Sequence, residues 1–214
     1  IEEYSLGWSQ DQHFLHRRLK PSRLRQALEY GFPDDETTGA LSMLFYGGDF
    51  FDHLADSVHD EDFQDACAYM NWRCQSAARW GYPIRVLLGT RSHDMDQGHW
   101  WTKINESLRK PADLRYVDTV SIEHHPVLGD ILYVPDNWKP TADEVWEDVC
   151  EVLRSKNLTK VDWIIMHGAF KHQLPEHLHN KVHFLHDSER YSSICRKYVL
   201  VGHVHLQSQW KNII

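Results

Sequence analysis

Three stretches of this chain are short and almost continuously apolar, and each runs up to a glycine: "IRVLLG" (84–89), "VDWIIMHG" (161–168) and "YVLVGH" (198–203). They are too short for buried helices and lack the alternation of a half-solvated strand. They therefore read as strands covered on both faces, the kind found in parallel sheets. "LSMLFYGG" (41–48) belongs to the same class. Helical patterns lie between them. In 61–81 the residues Phe63, Ala66, Cys67, Met70, Cys74 and Ala77 recur at three/four spacing, and Gly81 can close the helix. In 141–156 a capping box of Thr141 and Glu144 follows Pro140. Residues 113–135 read as two or three shorter strands with a Gly-Asp turn at 129–130, and 206–214 as the start of one more strand. Alternating strands and helices predict an α/β fold with largely parallel central strands. No repeat or linker interrupts 1–214, so a single domain is expected. The polar, His-rich segment 171–190 is read as a long functional loop or lid within it.

Composition narrows the function classes. With 214 residues, 42% of them hydrophobic, the chain can bury one substantial core. No apolar run approaches the roughly 20 residues that cross a bilayer, and the start, "IEEYSLGWSQ", shows no signal peptide. A soluble, cytoplasmic protein without a membrane partner is expected. The cysteines Cys67, Cys74, Cys150 and Cys195 form no C-x-x-C pair and read as buried free thiols. A net charge of −8 argues against a general nucleic-acid footprint. The local exception is "HRRLKPSRLR" (16–25), which is either a solvated helix surface or a phosphate-facing patch.

What distinguishes the chain is the set of side chains at its strand ends. In order these are Asp11 and His13; Asp49 and Asp52; Ser92, His93 and Asp94; His167; and His203 and His205. Ligands of α/β sheets bind beyond the carboxyl ends of the strands, so this order points carboxylates and imidazoles at one edge. A mixed oxygen and nitrogen set without thiolate suits manganese, zinc or iron. There are too many ligands for one tetrahedral zinc and about enough for two metals roughly 4 Å apart. Each piece alone is an ordinary turn or a satisfied polar group; their joint order carries the signal. The other histidines carry none: His124 and His125 fall in a strand or turn, and His172, His177, His179, His183 and His186 on a loop or surface.

The blocks D-x-H (Asp11, His13), G-D-x-x-D (Gly48, Asp49, Asp52), G…S-H-D (Gly89, Ser92, His93, Asp94), His167 and G-H-x-H (Gly202, His203, His205) span 11–205 and resemble the calcineurin-like metallophosphoesterase superfamily. The resemblance implies a four-layer α/β/β/α sandwich with two facing mixed sheets, and a dinuclear metal site. One metal would take Asp11, His13, Asp49 and His205. The other would take Asp49, His167, His203 and Ser92, which stands where the family has Asn. Manganese is the expected ion, with zinc, iron or magnesium as alternatives. The metals would supply a bridging hydroxide for in-line attack on phosphorus. His93 would protonate the leaving group or stabilise the transition state, with Asp52 or Asp94 orienting its imidazole. The third block is two residues longer than the family's G-N-H; the added Thr90-Arg91 would bring Arg91 towards substrate phosphate.

Within the superfamily, "GDFFD", "GTRSHD" and "HGAFKHQLP" resemble the SbcD-type DNA repair exonuclease, phage-type versions included. That implies DNA as substrate, an SbcC-type ATPase subunit as partner, a homodimer, and the host cytoplasm for a phage-encoded chain. Arg17 and Arg18 in the basic cluster would hold DNA phosphates. Such enzymes continue past G-H-x-H with further strands and accessory regions, whereas this sequence ends at Ile214. The alternatives are a small-molecule phosphodiesterase or a protein phosphatase of the same superfamily, or a non-catalytic scaffold.

Overall fold

A computed structural model describes residues 41–51, 54–95, 97–181, 183–204 and 208–214. Asp11, His13, Arg17, Arg18, Asp52 and His205 lie outside the described residues. The fold is α/β, with a three-stranded and a four-stranded sheet and four helices among the described residues.

The first sheet has the order β1-β2-β3, from Leu44–Tyr46 (β1), Ile84–Leu87 (β2) and Leu114–Val117 (β3). β1 and β2 run parallel with Leu44 opposite Ile84 and Tyr46 opposite Val86, as their mostly apolar character predicts. Helix α1, Glu61–Trp80, starts where the Asp60 carboxylate accepts the Asp62 and Phe63 amides and ends at Gly81 in the left-handed conformation, φ 83°. Of the stripe read from the spacing it buries Phe63, Ala66, Met70, Cys74 and Ala77, with Cys67 only partly covered, and it also buries Tyr69 and Arg73. The sequence reading missed helix α2, Trp100–Ser107, which a single turn of 3-10 helix at Gln97–His99 precedes. Its eight residues are too few to show a helical period; burial of Trp101 and two hydrogen bonds between Asn105 and Ala112 fix it instead.

The second sheet has the order β4-β5-β6-β7, from Ser121–His125, Gly129–Val134, Val161–Gly168 and Cys195–His203. β5, β6 and β7 are parallel, and β4 pairs antiparallel with β5. The hairpin turn falls at 126–128, so Gly129 and Asp130 open β5 and do not form the turn. Gly129, at φ 84°, leaves room for the Asp162 carboxylate, which accepts the Asp130 amide at 2.9 Å. Helix α3, Ala142–Ser155, is capped by Thr141 as expected, its hydroxyl accepting the Glu144 amide. The 171–190 segment is more regular than a lid: 3-10 turns at Lys171–Gln173 and Glu176–Lys181 lead into helix α4, Ser188–Ile194. The C-terminal residues add no full strand among those described; Ile213 forms isolated bridges to Val199 and Trp210, and Ile214 exchanges backbone hydrogen bonds with β7.

The chain divides into two compact units. The first holds 50–86 and 92–116 with β1, and its core gathers Leu44, Phe63, Met70, Ile84 and Trp101. The second holds 47–49, 87–91 and 117–214, with a core of Leu132, Val149, Ile164, Met166 and Val201. Each such side chain contributes about 1.5–3 kcal/mol by leaving water. All four cysteines are free thiols, but only Cys74 and Cys195 are buried, Cys67 and Cys150 being partly exposed; burial pushes Cys67 and Cys195 up to about 11 and Cys74 up to about 12. No described helix is long and apolar enough to cross a membrane.

Candidate functional site

Within the second unit, two neighbouring parallel strands deliver the imidazoles. The β6–β7 register sets His167 opposite Gly202 and Gly168 opposite His203, so the two histidines stand one step apart on adjacent strands. Their rings lie 5.0 Å apart, inclined by 68°. Asp49, on the 47–49 segment, completes the group. Its Oδ2 is 3.2 Å from His167 Nε2 and 3.4 Å from His203 Nδ1. One ligand atom from each of Asp49, His167 and His203 lies within 4.8 Å of the others. These are three of the four residues that the resemblance assigns to the second metal.

The surroundings are arranged for this approach. His167 is 1% exposed and Asp49 5%. His167 Nδ1 lies 2.6 Å from the Gly47 carbonyl and donates to it, which leaves Nε2 as the atom facing the cluster. Nε2 is buried, and the group that faces it is the Asp49 carboxylate at 3.2 Å. A buried imidazole nitrogen of this kind, its partner nitrogen fixed on a carbonyl, suits a metal ligand. The backbone is special here too: Gly48, Asp49 and His203 take φ of 91°, 51° and 111°. Left-handed conformations at non-glycine residues are uncommon and gather at functional sites. Gly48 is required on two grounds, because a Cβ would also stand 2.3 Å from His167 Nδ1. Gly202 is required because its Cβ would meet the Gly47 carbonyl oxygen at 2.4 Å, the same oxygen that orients His167.

Electrostatics follow from the packing. Burial disfavours a charged His167, but the Asp49 carboxylate and the Gly47 carbonyl outweigh it and raise His167 to about 9. His186 goes the other way: burial, and then the charge of His167, lower it to about 4. The sequence reading placed His186 on a loop or surface; it is 4% exposed, packed among Phe170, Phe184 and Tyr191. Gly168 makes the room, since a Cβ there would stand 2.8 Å from the His186 ring.

The sequence reading also missed Thr90. Its amide and hydroxyl donate to Asp49 Oδ1 at 2.6 and 2.9 Å, so one carboxylate oxygen is held and the other faces both imidazoles. A signal for it existed: Thr90 directly follows Gly89, the glycine that closes the apolar 84–89 stretch. Ser92 is exposed in the turn at 91–95, within the first unit. His93 lies half-buried in the same turn. Asp94 is 1% exposed, and its carboxylate accepts the Phe51 amide at 3.1 Å, anchoring this turn to the 50–51 segment. Arg91, in the second unit, is exposed with its guanidinium 5.6 Å from the centre of the Trp138 ring. His124 and His125 fall in β4, as read.

Compared with models of known protein families the chain matches none, and no curated protein matches it. The functional reading therefore rests on the residues themselves.

Proposed function

We propose that this chain is a metal-dependent phosphodiester hydrolase of the calcineurin-like type, acting on DNA in the manner of SbcD-type nucleases. The observation that carries the reading is the buried Asp49–His167–His203 group, one ligand atom from each lying within 4.8 Å of the others. On this reading the two sheets face one another in a four-layer sandwich. Asp49, His167 and His203 would hold one divalent ion, and Asp11, His13 and His205 would join Asp49 in holding a second. When bound, the ions supply a hydroxide at neutral pH and neutralise charge on the phosphoryl oxygens.

The chain's own residues have separate tasks. Thr90 fixes the Asp49 carboxylate by two hydrogen bonds. Gly47 fixes the orientation of the His167 ring through its carbonyl. His93 gives a proton to the departing oxygen or stabilises the transition state, and Arg91 meets substrate phosphate.

A hydrolysis panel with manganese tests this, using linear DNA, bis-p-nitrophenyl phosphate, p-nitrophenyl phosphate and a cyclic nucleotide. Cleavage of DNA and the diester is expected. Activity on the monoester alone would replace the nuclease reading with a phosphatase, activity on the cyclic nucleotide alone with a small-molecule phosphodiesterase, and bound metal without turnover with a scaffold.

A further inference from the structure

Trp138 is a large aromatic residue left 37% exposed, on a backbone that bulky side chains rarely adopt, with φ 55°. Its conformation is built in. The Asp136 carboxylate accepts the Trp138 amide at 3.1 Å, and the Asp136 amide donates to the Leu88 carbonyl at 3.0 Å. The indole Nε1–H donates to the Gly89 carbonyl at 3.3 Å. The edge of the ring is thus fixed, and the Arg91 guanidinium lies 5.6 Å from its centre.

The Gly89 carbonyl and the Thr90 amide belong to one peptide group. On one side that group accepts from the Trp138 indole, and on the other it donates to Asp49 Oδ1 at 2.6 Å. A planar peptide is rigid, so the indole edge and the Asp49 carboxylate are held within about 8 Å of each other. A nucleotide spans a similar reach from its phosphate to its base. Stacking on an aromatic face beside a cation is the usual way to hold an unpaired base without reading its identity.

We propose that Trp138, flanked by Arg91, is a stacking platform for an unpaired nucleobase of single-stranded DNA whose adjoining phosphate lies at the Asp49–His167–His203 group. The proposal rests on the phosphodiesterase reading and names its substrate class. It also gives Trp138, which no sequence motif singled out, a place in recognition.

The test is binding without turnover. Fluorescence anisotropy with calcium in place of manganese compares a labelled thymidine decamer with an abasic decamer of equal charge. Trp138→Ala should weaken the thymidine decamer about 10-fold or more, leave the abasic decamer nearly unchanged, and be largely rescued in Trp138→Phe. Arg91→Gln should weaken both decamers. Equal affinity of wild type and Trp138→Ala for the thymidine decamer, equal loss on both decamers, or no binding by the wild type would each overturn the platform. Trp138→Phe guards against misfolding: it keeps an aromatic face but loses the Gly89 bond, so a purely structural role predicts no rescue. Hydrolysis of bis-p-nitrophenyl phosphate by the wild type separates the two readings. Hydrolysis without base-dependent binding sinks the platform alone, whereas base-dependent binding without hydrolysis sinks the enzyme reading alone.

Discussion

Replacing Gly48 with alanine probes the candidate metal site without touching a ligand. The added Cβ would stand 2.3 Å from His167 Nδ1, 2.7 Å from its Cγ and 3.0 Å from the Gly89 Cα. Restoring ordinary contact moves the ring by about 1 Å. That movement breaks the 2.6 Å bond to the Gly47 carbonyl. Leaving such a buried group unsatisfied costs about 1–3 kcal/mol. The left-handed φ of 91° adds about 1–2 kcal/mol for a residue with a Cβ. The expected destabilisation is about 2–5 kcal/mol, a fall in Tm of roughly 4–20 °C for a chain of this size. Because His167 moves, divalent-metal affinity should also fall, by about 10–100-fold. Gly81→Ala is the control: its φ is 83° and nothing lies within 4 Å of the added carbon, so it carries the backbone strain alone. Calorimetry of unfolding and titration with zinc or manganese measure the two effects. A Gly48→Ala protein no less stable than Gly81→Ala, with unchanged metal affinity, would refute the link from Gly48 through His167 to the metal.

Other perturbations address separate residues. Asp49→Asn removes the anion facing both imidazoles, and elemental analysis should show metal affinity down by at least about 100-fold; full retention of metal would remove Asp49 from the ligand set. Thr90→Val deletes the hydroxyl bond to Asp49 but not the amide bond, so metal affinity should drop about 10-fold with the fold intact, and unchanged affinity would reduce Thr90 to a spectator. His93→Ala should keep its metal and lose most phosphodiester hydrolysis; joint loss of both would show that His93 is a ligand. His186 titrates near 4 in the folded chain against an ordinary 6.5, so the unfolded chain binds the extra proton between those values. Stability should therefore fall as pH drops from 6.5 towards 4, by up to about 3 kcal/mol in all. Urea melts across that range should show the loss, and His186→Leu should flatten it.

The chemistry of the strand ends was legible because it is local. A buried strand that stops on glycine with an acid or imidazole beside it announces itself in a few residues, as at Asp49, His167 and His203. Helix α1 was legible for a related reason: its stripe, cap and closing glycine all lie within one continuous segment. Helix α2 was not, because eight residues do not establish a period and the burial of Trp101 depends on the packing around it. The same limit hid His186, whose place among Phe170, Phe184 and Tyr191 follows from how the segment after β6 folds back and from the room Gly168 leaves.

By itself, then, the sequence determined the α/β class and which residue types reach the strand ends, since these depend on periodicity and on chain order. Tertiary structure decided which of them meet. Strand register set His167 one step from His203, the left-handed turn at Gly48 and Asp49 brought a carboxylate to both, and a single peptide between Gly89 and Thr90 tied that carboxylate to Trp138. Those relations join residues far apart in the chain through distances of a few ångströms, and only the packed backbone fixes such distances.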